Sequence, residues 1–237
     1  MKKVSNFIER KSLVPVIPKK KFDDVATEFL TKYCPEALEK PMPVPIIDIA
    51  KKKMGLRIVP DFRLSEDFSV YGQMCFTSGI VPVYIKEEEE YIDIKVKRGT
   101  MLIDPDTLFE RNIGCLNNTV AHECVHWYKH RMYHLYNSGA GIDSCLTYKY
   151  PVRELDETKQ REWSDDDWME WQANGIAPRI LMPIQTVKTT VNSILESSNS
   201  ENTPRWWVVS KLAEFYKVAK VSADIRMNEL GILSEVQ

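Results

Sequence analysis

Apolar residues recur at spacings of three and four from Lys21 onward. Phe22, Val25, Ala26, Phe29 and Leu30 form one stripe, which predicts an amphipathic helix. Pro35 and the PMPVP run at 41–45 end it. IIDIAKKKMG, from Ile46 to Gly55, predicts a short second helix stopped by its glycine. The period then changes. LRIV, FSVYGQMCF, VPVYI, YIDIKVK and GTMLID alternate or concentrate β-branched and aromatic residues, and predict strands. The acidic run Glu87–Glu90 between two of them reads as a solvated hairpin turn. From about Asn117 to Tyr136 the pattern is helical again, and a polar, irregular stretch follows to about Arg161. Ser164 and Asp165–Asp167 supply an N-cap and an acidic first turn for WMEWQANGIAPRILM. Pro183 ends that element. IQTVKTTVNSILES predicts a further helix, NSENTP a loop, and residues 205–237 two more helices ending near Gly231. Helices, then strands, then helices again argue for an α+β fold.

Composition changes this picture little. The 237 residues suffice for one good-sized domain. A net charge of −2 gives no global field for nucleic acid or an anionic membrane. No apolar run approaches the roughly 20 residues needed to span a bilayer. Residues 1–21 are basic, and Glu9, Arg10 and Lys11 interrupt any apolar stretch. They read as a flexible basic tail, not a secretory signal, so the expected location is cytoplasmic. Five cysteines without a C-x-x-C are read as reduced thiols, in keeping with that location.

The chemistry concentrates in VAHECVHWYKH, residues 120–130. His122-Glu123-Cys124-Val125-His126 is an H-E-x-x-H. Histidines four apart on a helix project within about 40° of each other, so both can reach one ion. The intervening glutamate then lies beside the open coordination position, where it can act as a general base. All four histidines of the chain fall in this helix, at 122, 126, 130 and 134. Each step drifts about 40°, so His134 points about 120° from His122 and is assigned to the surface. His130 is read as a residue behind the ligands or at the mouth of the cleft, and Trp127 as part of the cleft wall.

A catalytic zinc keeps three protein ligands and one open position. No histidine remains outside the helix, so a carboxylate is expected, from Asp165, Asp166, Asp167 or Glu170. The aspartates have the character of a helix first turn. Glu170 lies among Trp168, Met169, Trp171 and Ala173, where a carboxylate is costly unless paired or metal-bound. That favours Glu170.

These residues resemble a known family. WMEWQANGIAPRILMP, residues 168–183, is similar to the E-x-x-A-N-x-F-A-A-x-L-L-M-P helix of the ImmA/IrrE metallopeptidases. The matching positions are Glu170, Ala173, Asn174, Ala177, Leu181, Met182 and Pro183. VAHECVHWYKH resembles that family's A-H-E-x-x-H-x-x-x-H. The segments from Phe22 to Ile58 and from Leu212 to Leu233 resemble its opening and closing helices. Lys217 and Ala219 stand where the family's closing turn has Gly and Ser, and Ile176 replaces a Phe.

The resemblance implies a zincin-like metallopeptidase domain over residues 22–185. A small, mostly antiparallel sheet would pack on the H-E-x-x-H helix, and residues 186–237 would form a C-terminal helical subregion packed on it. It implies one Zn2+ per chain held by His122, His126 and Glu170, with Glu123 as the catalytic base. Asn174, one turn after Glu170, could orient a ligand. The implied activity is cytoplasmic hydrolysis of a peptide bond in a protein substrate, typically a DNA-binding repressor of stress or mobile-element genes. By analogy with zincin architecture, GTMLID would be a sheet edge pairing with an extended substrate.

The alternative is a non-catalytic regulatory module that binds a repressor or DNA, its zinc site structural or vestigial. Residues 205–237 bear on it. Arg205, Lys211, Lys217, Lys220 and Arg226 are nearly balanced by Glu214, Asp224, Glu229 and Glu235, which argues against direct nucleic-acid binding.

Overall fold

The computed structural model describes residues 14–136, 145, 147–149, 151, 155–198 and 203–232. Helices α1 (Phe22–Tyr33), α2 (Glu36–Glu39) and α3 (Ile46–Asp48) come first. Strands β1 (Arg57–Val59), β2 (Gly72–Cys75), β3 (Gly79–Ile85), β4 (Glu90–Val96) and β5 (Thr100–Ile103) follow. Then come α4 (Ile113–Val125), α5 (Arg131–Tyr136), β6 (Thr147–Lys149), α6 (Asp165–Leu181), α7 (Ile184–Ser197), α8 (Arg205–Tyr216) and α9 (Lys220–Glu229). The fold is α+β and mostly helical.

The main sheet has the order β1-β5-β2-β6. β1 runs parallel to β5, while β2 is antiparallel to both β5 and β6. The GTMLID segment is therefore not an edge. β5 lies between β1 and β2, and both its ladders are filled. β6 takes the outer position instead. It comes from the stretch expected to be irregular, of which 137–144, 146, 150 and 152–154 fall outside the described residues. The acidic run does turn a hairpin, with β3 pairing β4 from Gly79↔Val96 to Ile85↔Glu90.

Strand periodicity divides the core in two. Met101 and Ile103 of β5 face the large core, which also holds Val120, Ala121 and Cys124 of α4 and Ala173, Ile176 and Ile180 of α6. Leu102 faces the other way, into a small cluster with Leu64, Val81 and Val83 under the β3–β4 hairpin. The C-terminal helices share the large core through Val187, Val191, Val208 and Leu212.

The boundary of the N-terminal tail needs correction. Val14 is buried in the large core and Ile17 packs against it. The Pro15 carbonyl accepts from Gln172, and Lys19 pairs with Glu157 at 2.9 Å. Burying these apolar side chains stabilises by about 1–2 kcal/mol each, so the chain is held from residue 14 despite its basic composition. Residues 1–13 lie outside the described part.

The closing turn forms even without its glycine. Lys217 caps α8 in the left-handed conformation, φ 53°. Asn117 Nδ2 donates to the Lys217 carbonyl at 2.9 Å. Gly114 of α4 lets the turn approach: a Cβ there would stand 2.3 Å from the Val218 carbonyl carbon. The turn is thus docked on the start of the histidine helix.

Candidate metal centre

Two helices face each other across the site. α4 begins at Asn112, whose side chain accepts from the Cys115 amide. α6 begins with a capping box, in which Ser164 and Asp167 bond each other's backbone N–H groups. Asp167 is thereby engaged at the helix start, and of the four candidate carboxylates it is the buried Glu170 that groups with the histidines. Its carboxylate meets the two histidines of the motif. Glu170 Oε1 lies 3.4 Å from His122 Nε2 and 3.1 Å from His126 Nε2, and the two nitrogens are 2.9 Å apart.

Three donor atoms from His122, His126 and Glu170 all fall within 4.8 Å of one another. With metal–ligand bonds of about 2.0–2.1 Å, donors around a tetrahedral ion stand about 3.3 Å apart. The observed spacings bracket that value. The donor set, two imidazole nitrogens and a carboxylate oxygen, also suits zinc. The residues fit a metal ion of this kind.

Glu123 lies beside this group in different surroundings. It is 4% exposed, and its Oε2 has no hydrogen-bond partner among the described residues. Burial, reinforced by the charge on Glu170 and opposed by His122, pushes its pKa up to about 8. Burial acts upward on Glu170 too, but contact with His122 and His126 holds that carboxyl well below the usual range. Among the histidines, burial alone would lower His122. The Glu170 and Glu123 charges, with the hydrogen bond that His122 donates to Glu170, raise it to about 8 instead. His126 has burial and the neighbouring His122 against it and drops to about 4. In the metal-free site the proton of the pair therefore rests on His122.

These groups open onto a cavity of about 180 Å³ whose wall includes Tyr71, Gly72, Asn118, Thr119, Asn174 and Ser222. Gly72 belongs to β2 and lies against Glu123. A Cβ there would stand 2.6 Å from Glu123 Oε1, so glycine is what lets strand and carboxylate meet. Nothing in the local sequence marks this contact, because it depends on how the sheet sits on α4. Asn118, Asn174 and Ser222 also line a larger adjoining groove, along with Phe22, Trp171 and Ile225.

The other predicted residues divide. Asn174 lines the cavity together with His122 and Glu170. His130 is fully buried behind the site, its Nδ1 2.9 Å from His126 Nδ1 and its Nε2 3.0 Å from Gln172 Oε1. It is not at the mouth. Gln172 was not foreseen, although a buried amide two residues after Glu170 is the kind of group that needs a partner. Trp127 is not a cleft residue. One position on from His126, it points around the helix to stack on Phe76, with Arg98 and Arg131 over its ring. His134 is half-buried, not on the surface, with its ring stacked on Phe76 at 4.2 Å.

Among the described residues no helix is long and apolar enough to cross a membrane. Compared with protein-family models and with curated proteins, the chain matches none.

Proposed function

We propose that this chain is a zinc-dependent endopeptidase of the ImmA/IrrE kind, with a zincin-like site. The observation that carries the reading is the pairing of two opposite carboxylates in one cavity. Glu170 is held as an anion among imidazole nitrogens, while Glu123 is buried and raised beside them, its Oε2 without a hydrogen-bond partner among the described residues. Environments that drive two carboxyls apart mark acid–base assignments.

His122, His126 and Glu170 would hold the ion, and bound zinc supplies Lewis acidity toward a water and a carbonyl oxygen. Glu123 removes a proton from the attacking water. A carboxyl whose pKa lies near neutrality can both accept that proton and return it to the leaving amine. Gly72 leaves room for the carboxylate, and Asn174 lines the cavity beside His122. The motif resemblance extends the proposal to a cytoplasmic protein substrate, a DNA-binding repressor.

Elemental analysis tests the site. The parent protein should carry about one zinc per chain and Glu170→Ala much less. Glu123→Gln should keep the zinc and lose at least a hundredfold in peptide hydrolysis. Full activity in that variant would remove the mechanism.

A further inference from the structure

Behind the metal ligands runs a buried chain of hydrogen bonds whose direction is fixed from its far end. Gln172 lies 2.7 Å from the carbonyl oxygen of Pro15 through its Nε2. A carbonyl oxygen only accepts, so the amide nitrogen must face it and donate. The Gln172 Oε1 therefore faces His130 Nε2, at 3.0 Å, as an acceptor. His130 must carry its proton on Nε2. A neutral imidazole then has a bare Nδ1, and His130 Nδ1 is the atom 2.9 Å from His126 Nδ1. His126 must donate there. Its Nε2 is left with a lone pair, and this is the nitrogen that points at His122 and Glu170.

We propose that His130 and Gln172, anchored on the Pro15 carbonyl, act as positioning residues that hold His126 in its Nδ1–H form, so that its Nε2 presents a lone pair to a metal ion. A histidine ligand whose other nitrogen donates a hydrogen bond is fixed in tautomer and ring orientation. Here the acceptor is a second histidine, and its own tautomer is fixed by an amide. His130 and Gln172 are 0% and 1% exposed, so water does not compete for either link.

From His126 to His130 the backbone widens into a turn with i→i+5 bonding. The His126 and His130 ring centroids lie 5.0 Å apart, close to the 4.7 Å between His122 and His126. The N-terminal segment closes the chain, with Val14 buried in the core beside the Pro15 acceptor.

The inference rests on the proposed metal site for its purpose, but its tautomers can be read without metal. Long-range 1H–15N spectra of the full chain, labelled at histidine, should show His130 as Nε2–H and His126 as Nδ1–H before zinc is added. Zinc affinity is then measured by chelator competition in two variants. Gln172→Met fills the space but cannot accept from His130 as an amide does, so zinc binding should weaken about 10–100-fold. Gln172→Glu keeps an acceptor toward His130 and should bind zinc more tightly than Gln172→Met. A purely structural role predicts the reverse order, since a buried carboxylate is worse for folding than methionine. A proton on His130 Nδ1 in the parent, or Gln172→Met binding zinc as well as Gln172→Glu, overturns the relay. Failure of the parent to bind zinc, with both tautomers as stated, overturns the metal reading and leaves the relay standing.

Discussion

Helix α6 carries two buried polar clusters, and they are built on different rules. Near its C-terminal end, Arg179 joins Asp23, Glu229 and Arg226. Arg226, 1% exposed, bonds Asp23 and the Met182 carbonyl, and Arg179 bonds Asp23 at 3.3 Å and Glu229 at 2.8 Å. Two cations meet two anions, and the cluster ties α1, α6 and α9 together. Near its N-terminal end, Glu170 meets His122 and His126, with Glu123 alongside. There the acceptors outnumber the protons: imidazole nitrogens and a carboxylate oxygen converge, and Glu123 Oε2 has no partner. A cluster that balances its own charges is complete as folded. One with converging lone pairs and an orphaned carboxylate is suited to a cation and to proton transfer.

The comparison can be broken at four points. The largest expected effect is on the balanced cluster. Asp23→Ala leaves two buried arginines sharing Glu229, and should cost about 3 kcal/mol of stability by urea unfolding. The folded fraction of this variant should bind zinc like the parent. Loss of zinc without loss of stability would exchange the two roles.

The next strikes the unbalanced cluster without touching a ligand. Gly72→Ala forces a methyl group against Glu123 Oε1. Zinc content should hold, while hydrolysis falls about a hundredfold, as expected for a base displaced by about 1 Å. Unchanged turnover would show that the contact does not place the base.

Third is the pH dependence of the metal-free protein. His122 keeps its proton up to about 8 in the fold, against about 6.5 when unfolded, and Glu123 keeps its own to about 8. Between these limits the native state binds more protons, so stability falls as pH rises. The contribution of His122 is whole below about pH 6.5 and is lost through about 8. His126, lowered to about 4, works oppositely and costs stability as pH falls from 6.5 through 4. Thermal or urea unfolding should show stability lost from pH 6.5 to 8.5, to which His122 alone contributes on the order of 2 kcal/mol. Zinc should reverse that slope, because its ligands bind deprotonated. A metal-free protein that gains stability over this range would contradict the proton assignment.

The smallest effect serves as a control. Lys217 holds a left-handed conformation that suits glycine. Lys217→Gly should stabilise by up to about 1 kcal/mol, the relief of strain being partly offset by chain entropy. Zinc affinity should not move. A shift would show that the docked turn reaches the site through Gly114 and Asn117.

The spacing of the candidate metal ligands was legible because it is a local property. His122, Glu123 and His126 sit on one helix, where 3.6 residues per turn decides which side chains share a face. Glu170 was legible from polarity, as a carboxylate inside an apolar helix. The α+β class and the β3–β4 hairpin followed from periodicity in the same way. Sheet order did not. Placing β5 inside the sheet and β6 at its edge is a long-range pairing, and a strand's own residues do not name its neighbour. The tail boundary failed for a related reason: basic composition could not reveal that Val14 is buried or that the Pro15 carbonyl has a donor waiting. Sequence by itself determined which groups could bind an ion and supply a base, because helical spacing fixes that. Tertiary structure alone decided that Gly72 meets Glu123, that Trp127 turns away, and that His130 reaches Pro15 through Gln172. Those contacts join residues up to 157 positions apart, and they exist only where packing brings separate elements face to face.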